Sequence, residues 1–378
     1  LNDPYAVACL CFAFGMIPAG KLQDARGPRI TAMAGGLLVG AGMVMISMTT
    51  SYTGWLIGFG LLVGTGIAFG YSAATPAAIK WFPNNKTGLI AGIVVAGFGL
   101  APVYIAPLAT SLLASYGLQQ TMLILGLGFV VVVCLLSMLL MNPPAGFTPK
   151  GFVDRRAHSG AREQARVAFQ RPQLSPSEVL RRPNFWLLWF LFFISAGAGL
   201  MVIGSISGMA KSSMGQNAFV AVVLLAVGNA GGRVVAGVLC DKIGPKATLT
   251  VVLAFQAALM FLSIPFVAAA DAGAFLLVGT ATFIGFNYGA NLSMFPSFAK
   301  DLWGIKHFGV NYGILFTAWG VGGFVMSRVS QTLVSSTGSY SSSFAIAGSL
   351  LVAGVLLSFF IKDRAAQQRM EILAMQSA

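Results

Sequence analysis

The sequence predicts an all-α protein that crosses a lipid bilayer many times, and three observations carry that expectation. Of its 378 residues, 57% are hydrophobic and only 9% are charged. A water-soluble domain needs far more charge to cover its outside. Uncharged runs of about 20 residues, the length that crosses a hydrocarbon core as a helix, recur along the chain. Lys and Arg fall almost wholly into alternate loops, as they do when one side of a membrane retains them.

Eleven apolar spans follow in order: 4–20, 30–49, 54–79, 88–113, 119–141, 185–210, 216–240, 247–269, 273–298, 309–334 and 341–361. Threading them through a bilayer gathers basic residues on one side: Lys21, Arg26, Arg29, Lys80, Lys86 and the eight from Lys150 to Arg182. The same side receives Lys242, Lys246, Lys300, Lys306, Lys362, Arg364 and Arg369. That makes 20 of the 23 Lys and Arg residues, which assigns this side to the cytoplasm. Lys211 alone falls opposite, whereas Arg233 and Arg328 lie within spans. The net charge of +13 is thus a property of the loops and no sign of nucleic-acid binding.

The segment from Asn142 to Asn184 is rich in charge and proline and has no apolar run long enough to span. The expected organisation is therefore an N-terminal bundle over 1–141, a cytoplasmic linker over 142–184, a C-terminal bundle over 185–363 and a cytoplasmic tail over 364–378. The setting is the cell membrane, crossed many times. The four cysteines, Cys9, Cys11, Cys134 and Cys240, sit in or beside apolar segments and read as small packing residues. No span carries paired carboxylates, a His cluster or a nucleophile beside a base, so no catalytic residues, metal ligands or cofactors are expected.

Internal repetition sets the architecture. GKLQDARGPR at 20–29 matches GVLCDKIGPK at 237–246, an offset of 217. GIVVAGFG at 92–99 matches GILFTAWG at 313–320, an offset of 221. Parallel copies in one membrane point to an alternating-access transporter rather than a pore. Two spans precede the turn in the second copy but one in the first, so the register predicts a further helix ahead of Leu1.

The repeated GxxxDxxGxR turn resembles the loop signature of the major facilitator superfamily. Gly20 and Gly237 suit a close helix approach, and Asp24 and Asp241 suit the capping of a helix N-terminus. Gly27 and Gly244 complete the turn; Arg29 and Lys246 suit pairing across a cytoplasmic gate. YSAATPAAIKWFPNNKTGLIAG at 71–92, NYGILFTAWGVGG at 311–323 and the GGR ending at Arg233 resemble the oxalate/formate antiporter family within that superfamily. That family is similar to the monocarboxylate transporters. The resemblance implies two pseudo-symmetric six-helix bundles and secondary transport of small organic anions.

Arg233 points to the same chemistry. Placing Arg mid-span costs about 2.5–3.5 kcal/mol. None of the ten acidic residues lies at mid-span to offset it, so a carboxylate from solution is the fitting partner. At 1.5 Å per helical residue Arg233 lies about 12 Å in from Asp241, and Tyr71 about 14 Å in from Lys80. Tyr288 lies about 18 Å in from Lys300, and Trp319 about 15 Å in from Gly309. These four share a level near mid-membrane, with Phe98 and Phe316 close to it as apolar wall. Asn229 precedes Arg233 by one turn. Arg328, near the outer end of its span, is expected to snorkel to head groups. His158 and His307 fall in loops and are expected to be solvated. Gly92, Gly97, Gly99, Gly228, Gly231, Gly232, Gly313, Gly320, Gly322 and Gly323 are expected to permit close, sliding helix contacts.

The resemblance also bears on substrate. Dicarboxylate exchangers of the family have a Lys in the span equivalent to 309–334, and aligning on NYG places Trp319 there. One carboxylate per substrate follows, as in lactate, pyruvate or formate. Monocarboxylate transporters have Asp where this chain has Asn229, which leaves coupling to a proton or to a counter-anion open. An oxalate/formate-type dicarboxylate exchanger and a non-transporting carboxylate sensor remain alternatives. The unit is expected to function as a monomer.

Overall fold

The computed structural model describes residues 3–83, 86–144, 147, 173–214, 218–268 and 274–361. Most of the expected linker, with His158, and the tail 364–378 lie outside the described residues. The described residues form helices and no strands. In chain order these are α1 (Asp3–Arg26), α2 (Pro28–Ser47), α3 (Tyr52–Trp55), a π-helical stretch (Leu56–Val63) and α4 (Gly64–Ile79). There follow α5 (Thr87–Ser137), α6 (Pro176–Leu180), α7 (Pro183–Met214) and α8 (Ala218–Ile243). Last come α9 (Pro245–Ala268), α10 (Ala274–Trp303), α11 (Phe308–Thr337) and α12 (Ser341–Ser358). Among the described residues nine helices, with Tyr52–Ile79 as one, are long and apolar enough to cross a membrane.

The spans expected at 88–113 and 119–141 are one 51-residue helix, α5, broken at Gly117, whose φ is 72°. Only glycine takes that conformation without steric cost. The chain folds back there, because the Trp81 indole, just before α5, donates to the Met141 carbonyl, just after it, at 3.0 Å.

The repeat found in the sequence recurs as geometry. Gly27 ends α1 at φ 82° and Gly244 ends α8 at φ 87°, and a proline opens the next helix in both places. The Asp24 carboxylate accepts the backbone N–H groups of Gly309 and Val310, both at 3.1 Å, at the start of α11. Asp241 accepts those of Gly88 and Leu89, both at 2.8 Å, at the start of α5. Each carboxylate therefore satisfies orphan donors of a helix in the other half and faces the positive end of its dipole.

Beside these caps α1 lies against α11, and the first run of α5 against α8. A Cβ on Gly20 would collide with the Gly309 carbonyl, and one on Gly88 with the Gly237 carbonyl. One turn deeper, Gly92 abuts the Arg233 carbonyl and Gly313 the Met16 carbonyl, so the two seams follow the repeat offsets. Two expected sliding contacts are corrected: Gly97 and Gly231 have nothing within 4 Å of a built Cβ. The basic residues of the motif also behave differently from expectation. Lys246 donates to the Phe359 and Ile361 carbonyls at 2.9 and 2.8 Å, holding the end of α12 in its own half instead of bridging a gate. Arg29 is exposed, with no partner across the seam among the described residues.

Candidate functional site

Away from the sealed motif end, the helices part around a cavity of about 370 Å³. The first half lines it with Phe12, Phe59, Val63 and Phe98, and the second with Leu200, Asn229, Arg233, Tyr288 and Trp319. The π-helical stretch supplies Phe59 and Val63; such widened turns alter which side chains a helix presents.

Arg233 is 1% exposed. Its Nε donates to Asn229 Oδ1 at 2.9 Å, and a terminal N–H donates across the seam to the Val95 carbonyl of α5. The Phe98 ring centroid lies 5.7 Å from the guanidinium carbon. These partners are all neutral, and its electrostatic neighbours are the hydroxyls of Tyr71, Tyr288 and Tyr312. A guanidinium has about five N–H donors, so these two contacts leave donors over for a guest. No carboxylate faces this cation among the described residues.

The facing wall is chemically opposite. An offset of 217 relates Asn229 to Phe12 and Arg233 to Met16. Phe12 packs its ring 5.1 Å from those of Trp319 and Phe316 and 5.6 Å from Tyr71. Met16, one turn further along α1, is buried and does not line the cavity. Where α8 presents an amide and a guanidinium to the chamber, the pseudo-equivalent positions of α1 carry a phenyl that lines it and a thioether that does not. The chamber is amphipathic across its width.

Trp319 and Tyr288 act as a pair: the indole N–H donates to the Tyr288 hydroxyl at 3.0 Å. Tyr71 and Phe316 are corrected in place. Neither lines the cavity; both lie in an aromatic floor beneath it, their ring centroids 5.4 Å apart. The hydroxyls of Tyr71 and Tyr312 are buried there and interact with each other. Arg328 has a partner that its position in the span did not announce: its Nη2 meets Asp3 Oδ1 at 2.8 Å. Outside the spans, burial holds the Lys80 ammonium below its usual pKa, an effect the Asp24 carboxylate opposes. No cluster of three or more His, Cys, Asp or Glu able to hold a metal occurs among the described residues.

Sequence reasoning missed Phe12, Met16 and Tyr312. The signal for the first two was available, since the repeat offset carries Asn229 and Arg233 directly onto them.

The family model of the Major Facilitator Superfamily matches residues 4–327. The chain belongs to that superfamily. Among superfamily relatives, it is 27% identical to the uncharacterized MFS-type transporter YhjX of Escherichia coli, over 84% of this chain and 77% of that protein. It is 29% identical to the oxalate:formate antiporter of Oxalobacter formigenes, over 79% of this chain and 67% of that one. Monocarboxylate transporter 13 of Rattus norvegicus is 27% identical, over 90% and 75%. The fold is similar to that of the superfamily's fucose:proton symporter of E. coli, with a TM-score of 0.64, 17% identity and coverage of 95% and 91%.

Proposed function

We propose that this superfamily transporter carries small monocarboxylates, of the lactate, pyruvate or formate class, by alternating access, with the substrate carboxylate paired to Arg233. The observation that carries this reading is the one-sided chamber: one buried guanidinium with neutral partners on α8, and an apolar wall on α1 facing it. Among the described lining residues Arg233 is the single cation, which favours one carboxylate per substrate over two. Asn229 and Tyr288 supply further polar contacts, while Phe12, Phe98 and Trp319 cover the apolar end. Neutralising the buried cation lowers the cost of shutting water out, so the loaded form rocks more readily between its two openings.

The names of the relatives support carboxylate chemistry, and the basic bias of the loops supports a cytoplasmic motif end, linker and tail in the cell membrane. The halves are taken as 1–141 and 185–363, joined through 142–184. Replacing Arg233 with Ala tests the assignment. The variant should retain its helical circular dichroism yet lose saturable lactate and pyruvate uptake in proteoliposomes; normal uptake would refute the role.

A further inference from the structure

We propose that the end of the molecule away from the motif turns holds a second anion site, centred on Arg328, where an incoming carboxylate displaces Asp3 before passing to Arg233. The inference rests on the carboxylate reading of the inner chamber.

A second cavity, of about 500 Å³, opens there between α1, α7 and α11. It shares Tyr5, Cys9 and Leu200 with the inner chamber, so the two compartments abut. One face of α11 serves both. Trp319 borders the inner cavity, and Gly323, Ser327, Arg328 and Gln331 continue into the outer one at helical spacing.

Asp3 occupies Arg328 in the way a substrate carboxylate would. Its Oδ1 accepts from Arg328 Nη2 at 2.8 Å, and its Oδ2 accepts from the Tyr52 hydroxyl at 3.1 Å. The Arg328 guanidinium also stands 5.5 Å from the Phe324 ring centroid. Among the described residues the two side chains are 49% and 34% exposed, and ion pairs in that setting are weak and exchangeable. A single contact leaves guanidinium N–H groups for two-point recognition of a guest. The duplicated scaffold does not call for this pair: the repeat offsets carry Asp3 to Val220 and Arg328 to Pro107, neither of them charged.

Initial rates of L-lactate uptake into proteoliposomes test the proposal. Arg328→Gln should raise the half-saturating lactate concentration about fivefold while keeping the maximal rate, the size expected for one lost exposed ionic contact. Arg328→Lys should stay near wild type, and Asp3→Asn, which frees the cation, should lower half-saturation. The swap Asp3→Arg with Arg328→Asp keeps a pair but moves the cation off α11, and should behave like Arg328→Gln. Full rescue by the swap would show that only pairing matters and would overturn the site, as would an unchanged Arg328→Gln. If wild type takes up no small carboxylate, the Arg233 reading fails first; if it does and Arg328→Gln matches it, this inference alone fails.

Discussion

Asp241 reaches across the molecule to the backbone N–H of Gly88 at 2.8 Å, and a built Cβ on Gly88 would strike the Gly237 carbonyl one turn before that same aspartate. Cap and close approach occupy one spot, so the carboxylate can grip α5 only while the two backbones touch. Losing an N-cap of this type costs about 0.5–2 kcal/mol. Asp241→Ala should therefore loosen the motif end. Cys240 is a native reporter there, being buried beside Asp241. With the other three cysteines replaced by Ser, maleimide labelling of Cys240 should quicken in Asp241→Ala and, through the paired seam, in Asp24→Ala. Equal rates in parent and variants would show that the caps do not hold the seam.

Glycine substitutions separate contact from mere composition. Gly237→Ala forces a methyl against the Gly88 carbonyl, and overpacking of this kind costs about 1–3 kcal/mol. Uptake should fall sharply, because the motif end can no longer close. Gly97→Ala meets open space and should leave uptake and melting temperature near those of the parent. Similar losses in both would remove the argument from close approach.

The indole of Trp319 uses its N–H on Tyr288, which fixes the edge it presents to the chamber. Tyr288→Phe leaves that buried donor unpaired, at a cost of about 1–3 kcal/mol. The expected result is a lower melting temperature together with a higher half-saturating concentration. Trp319→Lys places a second cation in the same chamber and should move preference toward oxalate in counterflow. Unchanged oxalate selectivity would break the link between cation number and carboxylate number.

Phe12 bounds the apolar end of the chamber, so its removal should lengthen the accepted substrate. In Phe12→Ala, longer monocarboxylates should gain on pyruvate, with each added methylene worth up to about 0.8 kcal/mol when buried. Competition by a homologous series of fatty acids would measure this directly. A flat series would place the apolar limit elsewhere.

These residues also mark how far a single sequence can be read. Apolar run length located the crossings, and the aspartate-glycine turn exposed the repeat, because both are local patterns. The π-helical stretch Leu56–Val63 was hidden within an evenly apolar run, since it depends on partners: Gly58 sits against Ile46 and Gly60 against Val7. Arg233 stood out as a charge where lipid-depth residues are neutral. Tyr71 and Phe316 share its level but not its side of the floor, because counting residues gives depth along a helix and not direction around it. The Asp3–Arg328 pair joins residues 325 apart and leaves no local trace.

The reciprocal arrangement of Asp24 and Asp241 has a consequence for assembly. Each half supplies the clasp for the other and the socket for its neighbour's clasp, so recognition is written twice into the same surface. Two polypeptides made by severing the connection between residues 150 and 170 would each still carry both parts. They should find one another in the membrane without a tether, and whichever partner lost its aspartate could still be held by the clasp that remained.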